Sequence, residues 1–160
     1  MTIPIFHVDA FTERPFAGNP AAVCILPGPR DDTCHQAVSG EMNLSETAFL
    51  MKDADGFRLR WFTPKVEVAL CGHATLASAH VLWQEGLARP DETIRFQTLS
   101  GVLTAKRKDE EIELDFPLEP DAPTGQPCQC PRRTFEVRRQ EPIRLSGGSR
   151  FRHHFAEDDA

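Results

Sequence analysis

Gly72-His73-Ala74-Thr75-Leu76-Ala77-Ser78-Ala79-His80-Val81-Leu82-Trp83-Gln84-Glu85-Gly86 is the stretch on which the fold turns. Leu76, Ala79, His80 and Trp83 share one face at helical spacing, and Ala74, Ala77, Val81 and Leu82 fill most of the others. A helix that is apolar nearly all round is buried on every side. Its many alanines let neighbouring elements approach closely. The segment therefore predicts a central helix, and the rest of the chain must supply what wraps it.

On the C-terminal side, residues 93–99, 102–107 and 112–116 read as strands, the last two joined by a tight turn at Lys108-Asp109-Glu110-Glu111. On the N-terminal side, residues 3–11 are β-rich, and Pro4 confines them to an edge or a strand start. Residues 12–20, punctuated by Pro15, Gly18 and Pro20, read as a loop, and 21–26 as a short apolar strand closed by Pro27-Gly28-Pro29. Asp31 or Asp32 can cap a helix running to about Met42, with Cys34, Ala37, Val38 and Met42 at helical spacing. Residues 46–52 and 57–62 flank Asp53-Ala54-Asp55-Gly56, which signals a hairpin. Phe57, Leu59 and Trp61 alternate with Arg58 and Arg60, so that strand has one wet face. About seven strands and two helices predict an α+β fold, a mostly antiparallel curved sheet or barrel wrapped around a central helix.

The length, 160 residues, suits one domain. Hydrophobic residues at 40% and charged ones at 26% are those of a soluble globule. A net charge of −6 leaves no footprint for nucleic acid or an anionic membrane. No run approaches the roughly 18 apolar residues of a membrane span, and Met1-Thr2-Ile3-Pro4-Ile5 lacks the basic start of a signal peptide. Five cysteines (24, 34, 71, 128 and 130) are an odd number, read as reduced thiols of a cytoplasmic protein. Cys128-Gln129-Cys130 and His153-His154 lack finger-like spacing, so no metal is expected. Near residue 120 the composition shifts: residues 121–160 carry 7 basic side chains, all arginine, with Pro- and Gly-rich stretches. Residues 1–119 accordingly read as the domain, and 120–160 as an Arg- and Pro-rich tail, mostly loop or disorder.

Three places carry chemistry. Glu46, in Asn43-Leu44-Ser45-Glu46-Thr47-Ala48-Phe49, stands at the mouth of an apolar strand. Desolvation there raises a carboxyl toward about 6–7, which suits a general acid/base; the plainer alternative is a strand-end charge facing water. In Ala69-Leu70-Cys71-Gly72-His73-Ala74-Thr75, Gly72 opens the central helix, and the free N–H groups with the helix dipole make an anion site fit for a carboxylate. The dipole favours a neutral His73. Equally, Gly72 serves tight packing and His73 satisfies a buried partner. Gly18-Asn19-Pro20 is a rigid turn with a polar side chain, as most such tripeptides are. Cys71 is either a lowered-pKa thiol or a structural one. No G-x-G-x-x-G, P-loop or G-x-S-x-G occurs, so nothing asks for a nucleotide, a flavin or a serine nucleophile.

Several of these stretches form ordered blocks: His7-Val8-Asp9-Ala10-Phe11-Thr12, Phe16-Ala17-Gly18-Asn19-Pro20-Ala21-Ala22-Val23 and Met42-Asn43-Leu44-Ser45-Glu46-Thr47-Ala48-Phe49. Arg60-Trp61-Phe62-Thr63-Pro64, Glu67-Val68 and Cys71-Gly72-His73-Ala74-Thr75 follow. In these blocks the sequence resembles the PhzF family, the phenazine biosynthesis-like isomerases, over residues 1 to about 119. The resemblance implies a diaminopimelate epimerase-like fold, in which each of two similar domains wraps strands round a central helix, with the active cleft between them. It implies no cofactor and a small substrate carrying a carboxylate; the family's best-known reaction isomerises a dihydro-hydroxyanthranilate. By motif match it implies Glu46 as the general acid/base. His73, with the Gly72 and His73 amides, would hold the substrate carboxylate, and Asn19 would shape the same pocket. The acidic residue and the Thr-Gly-Ser/Asn-Ala block of the family's second domain have no match after residue 120, so impaired turnover is expected. Two other readings stand beside this one: a non-catalytic fragment that forms a homodimer or binds a partner, and a racemase or epimerase using Cys71 with a second thiol.

Overall fold

The computed structural model describes residues 3–116 except 13, 15, 109 and 110, so the tail from residue 120 with Cys128 and Cys130 lies outside the described residues. In chain order the elements are β1 (Ile5–Ala10), β2 (Asn19–Leu26), α1 (Asp32–Met42), β3 (Glu46–Asp53), β4 (Gly56–Phe62), β5 (Glu67–Val68), α2 (Gly72–Gln84), β6 (Ile94–Thr98), β7 (Gly101–Lys108) and β8 (Glu111–Asp115). One sheet runs β1-β2-β3-β4-β6-β7-β8, with β5 paired to β4. Neighbours are antiparallel except β2/β3 and β4/β6. Both exceptions are helical crossovers, through α1 and α2, which a parallel pair requires.

Every apolar face of α2 is covered, as its sequence demands: Ala74 to Ala79 and Val81 to Trp83 are buried. Strands β1, β2, β3 and β8, from both ends of the sheet, reach it, so the sheet curls around the helix. Thr75 and Ser78 are tolerated there because their hydroxyls donate to the carbonyls of Cys71 (2.6 Å) and Ala74 (2.7 Å) one turn back. Strand alternation sorts the remaining apolar residues into two cores. Ala21, Val23, Ala48, Leu50, Leu59, Trp61, Phe96 and Leu103 face α2. Ala22, Cys24, Leu26, Phe49 and Phe62 face the other way, where Val38 and Met42 of α1 cover them.

The structure departs from the sequence reading in three places. The buried residues of α1 are His35 and Ser39, whereas Ala37 is exposed. The convex sheet face presents two aromatic rings at this point, and His35 packs on Phe49 (centroids 4.5 Å) and Phe62 (5.2 Å). Second, Asn19 and Pro20, read as a turn, open β2. Pro20 pairs with Asp9 of β1, and the ladder to β3 starts only at Ala21, so its missing N–H breaks no bond on that side. Third, β5 is an extra two-residue strand, too short for a sequence signal.

Two glycines are required. A Cβ on Gly18 would collide with Thr12 and lie 2.6 Å from the Ala10 carbonyl oxygen. Gly56, in the β3–β4 turn, has φ +122° and abuts the backbone of Arg95. Helix α1 starts where expected, with the Asp31 carboxylate accepting from the Cys34 N–H (2.7 Å), and ends on Asn43 in the left-handed region. Among the described residues no helix is long and apolar enough to cross a membrane.

Candidate active site

Strand parity aims Glu46 at the central helix. It is in phase with Ala48 and Leu50, which pack on the α2 side, and its β2 neighbour in register is Ala21. The first residues of α2 arrive at the same end of the sheet, after β5 and a short connection. Glu46 Oε2 then lies 3.2 Å from His73 Nε2, with the two side chains only 20% and 10% exposed. The other ring nitrogen, Nδ1, is 3.3 Å from Cys71 Sγ. A carboxylate, an imidazole and a thiol from β3 and the start of α2 thus meet in one half-buried cluster.

Burial dominates its electrostatics. It pushes the Cys71 thiol up to about 12, and the charge and hydrogen bonding of Glu46 push the same way against the favourable Ala74 and His73 N–H groups. His73 is moved below its ordinary value, again chiefly by burial, although Glu46 and the Pro20 carbonyl favour its charged form. The distance between His73 and Glu46 is that of an ion pair, although burial disfavours the charged form of the ring. Glu46 Oε2 is buried and makes no hydrogen bond of good geometry.

Gly72, the first residue of α2, has Cys71 as its N-cap, and Cys71 makes no side-chain cap. The first amide bonded to a backbone carbonyl in this turn is Thr75 N–H, to the Cys71 carbonyl (3.1 Å). The amides before it lie at the positive end of the helix dipole. The structure thus brings Glu46, Gly72 and His73 together. Asn19 sits two residues before Ala21, on the α2 side by alternation and exposed. Among the described residues, no side-chain hydrogen bond joins it to Glu46 or His73.

Ser45 was not singled out by sequence reasoning. Its Oγ is 3.3 Å from His73 Nε2 and donates to the Pro20 carbonyl (3.4 Å). Its adjacency to Glu46 was the available signal, but parity alone assigns neighbours along a strand to opposite faces, and Ser45 precedes the strand. The Cys71–His73 contact was equally hidden, because residues two apart on a helix do not face each other. Cys71 escapes that rule as an extended N-cap, at φ −147° and ψ 112°. Behind the cluster, Arg60 grips Glu67 with two hydrogen bonds (2.6 and 2.7 Å) and Asp32 with a third (2.6 Å), fixing β5 and α1 to β4. That ties down the strand from which the chain runs into Cys71.

Comparison with known proteins identifies the family and the fold. The family model for phenazine biosynthesis-like protein, PhzC-PhzF, matches residues 8–141. An uncharacterized isomerase of Halalkalibacterium halodurans is 61% identical over 119 residues, which cover 74% of this chain and 45% of the relative. The chain spans about half the length of the curated relatives it matches. A crystal structure of a PhzF-family protein from Enterococcus faecalis superposes with a TM-score of 0.69 at 44% identity, covering 77% of this chain and 49% of that one. A predicted epimerase from Pseudomonas aeruginosa superposes at 0.60 with 26% identity, over 71% of this chain and 42% of that one. The fold is therefore the curled sheet and central helix shared by PhzF proteins and epimerases.

Proposed function

The chain belongs to the phenazine biosynthesis-like family, PhzC-PhzF, and from that premise we propose that it carries one wall of an isomerase site, with Glu46 moving a proton within a small carboxylate-bearing substrate. The observation that supports this most is the Glu46 carboxylate itself, partly desolvated and 3.2 Å from a neutral-leaning His73. Glu46 as carboxylate takes a proton from a substrate carbon and, as carboxylic acid, returns it to another position. The step is redox-neutral, and Glu46 is regenerated, so no cofactor is called for. The Gly72 and His73 amides at the helix N-terminus hold the substrate carboxylate, and neutral His73 supplies a hydrogen bond without competing as an acid. Asn19 lines the mouth. Exclusion of water from such a site calls for groups on the opposite wall of the cleft.

Cys71 is the alternative base. A thiol held near 12 contributes little thiolate at neutral pH, which favours Glu46. A homodimer belongs to the same proposal: Leu70, Leu99 and Val102 are exposed, and Ser100 Oγ donates to the Ala69 carbonyl (2.8 Å), joining these loops next to the site. Sedimentation velocity should give a dimer, and a monomer at all concentrations would remove that part.

The test of the chemistry is deuterium incorporation from D2O, followed by NMR, into dihydro-hydroxyanthranilate and related unsaturated carboxylates. Glu46→Gln should lower incorporation by about 10²–10⁴-fold, while Cys71→Ser should retain most of it. Undiminished exchange in Glu46→Gln would sink the proposal, and loss confined to Cys71→Ser would make the thiol the base.

A further inference from the structure

Glu46, Cys71 and His73 together offer a carboxylate oxygen, a sulfur and an imidazole nitrogen, all within 4.8 Å of one another. We propose that these three side chains form an inhibitory binding site for a zinc-class divalent cation, each giving one ligand atom and leaving the fourth position to water. The donor set carries the choice of ion. Sulfur and imidazole nitrogen select a borderline-soft metal, whereas magnesium and calcium take oxygen ligands. A tetrahedral zinc ion with bonds of about 2.0–2.3 Å holds its ligands roughly 3.3–3.7 Å apart. The 3.2 Å between Glu46 Oε2 and His73 Nε2 is close to that spacing, whereas Cys71 Sγ lies 3.3 Å from the other ring nitrogen, Nδ1, so a turn of the Cys71 or His73 side chain brings all three onto one ion.

Charge and access agree. Binding releases the thiol proton to solvent, so thiolate and carboxylate together cancel the two positive charges, and the imidazole binds in its neutral form. Glu46 Oε2 is buried with His73 Nε2 beside it but without a well-formed hydrogen bond, so capture of an ion gives it a stronger partner. The Glu46 and His73 side chains keep 20% and 10% exposure, which leaves a route from solvent. A captured ion removes Glu46 from proton transfer. That consequence rests on the function proposed above, whereas the binding does not.

The experiment titrates the reduced 160-residue chain with Zn²⁺ by calorimetry and with Co²⁺ by absorption, where a thiolate-to-metal band reports the sulfur. One tight equivalent with that band is expected. Cys71→Ser and His73→Ala should each weaken Zn²⁺ by on the order of tenfold or more, with circular dichroism confirming that each variant folds. The rival donors are Cys128, Cys130, His153 and His154. The variant C128S/C130S/H153A/H154A should bind as the parent does, and binding lost there but kept in Cys71→Ser would overturn the site. Competition by equimolar Mg²⁺ would overturn it as well. Zn²⁺ bound at the three side chains with undiminished deuterium exchange would instead overturn the inhibition and the role of Glu46.

Discussion

His35 shows how far a single residue can depart from its sequence signal. It is 3% exposed, neither ring nitrogen has a hydrogen bond of good geometry, and burial together with Arg60 lowers its pKa against the pull of Asp32, Glu67 and Asp31. His73 is lowered too. Unfolded, both titrate near about 6.5. As pH falls through that value the unfolded chain takes up protons first, so stability is highest above it and declines toward the lower folded values. Urea midpoints should accordingly drop between pH 7.5 and 5.5. His35→Leu removes an unsatisfied polar group and should flatten part of that decline, while gaining on the order of 1 kcal/mol at pH 7.5. Identical pH profiles for parent and variant would contradict this. At this scale the sequence made Glu46, Gly72 and His73 legible through motif blocks. It could not make Ser45 or the Cys71–His73 contact legible, since both depend on where a chain segment bends outside a regular element.

Among the elements, α2 was readable because burial on all sides leaves an unambiguous apolar pattern. Its alanines mark the closest approach of sheet to helix, and Ala79 is fully buried. Ala79→Leu should cost about 1–3 kcal/mol from overpacking, read as a lowered urea midpoint. Gly56→Ala should cost a similar amount, about 1–3 kcal/mol, because φ +122° is strained for a residue with a Cβ and the Arg95 backbone lies against it. Either variant unfolding at the parental midpoint would show that the packing there yields. Helix α1 was harder to read. Its start at Asp31 or Asp32 and its end near Met42 were legible, but its buried face holds His35 and Ser39 rather than a run of apolar residues. Periodicity of hydrophobic residues cannot report a face whose partners are aromatic rings on a distant strand.

Across the whole molecule, one sheet separates two cores, and strands β2 and β3 contribute to both. Loss of either core strips a face from the same strands, so the two should unfold together. Trp61 and Trp83 both lie in the α2 core. Their fluorescence and the far-ultraviolet circular dichroism should therefore give coincident urea transitions, and separated midpoints would mean that the α1 side melts independently. The sequence by itself determined the central helix, most strands and the family, because each is written in local periodicity, turn residues or contiguous motifs. Only the tertiary structure decided that β2/β3 and β4/β6 are parallel, that His35 is core, and that a carboxylate, an imidazole and a thiol converge. Those outcomes depend on how the sheet curls around α2, and curvature is a sum over many strand pairings that no single stretch of sequence encodes.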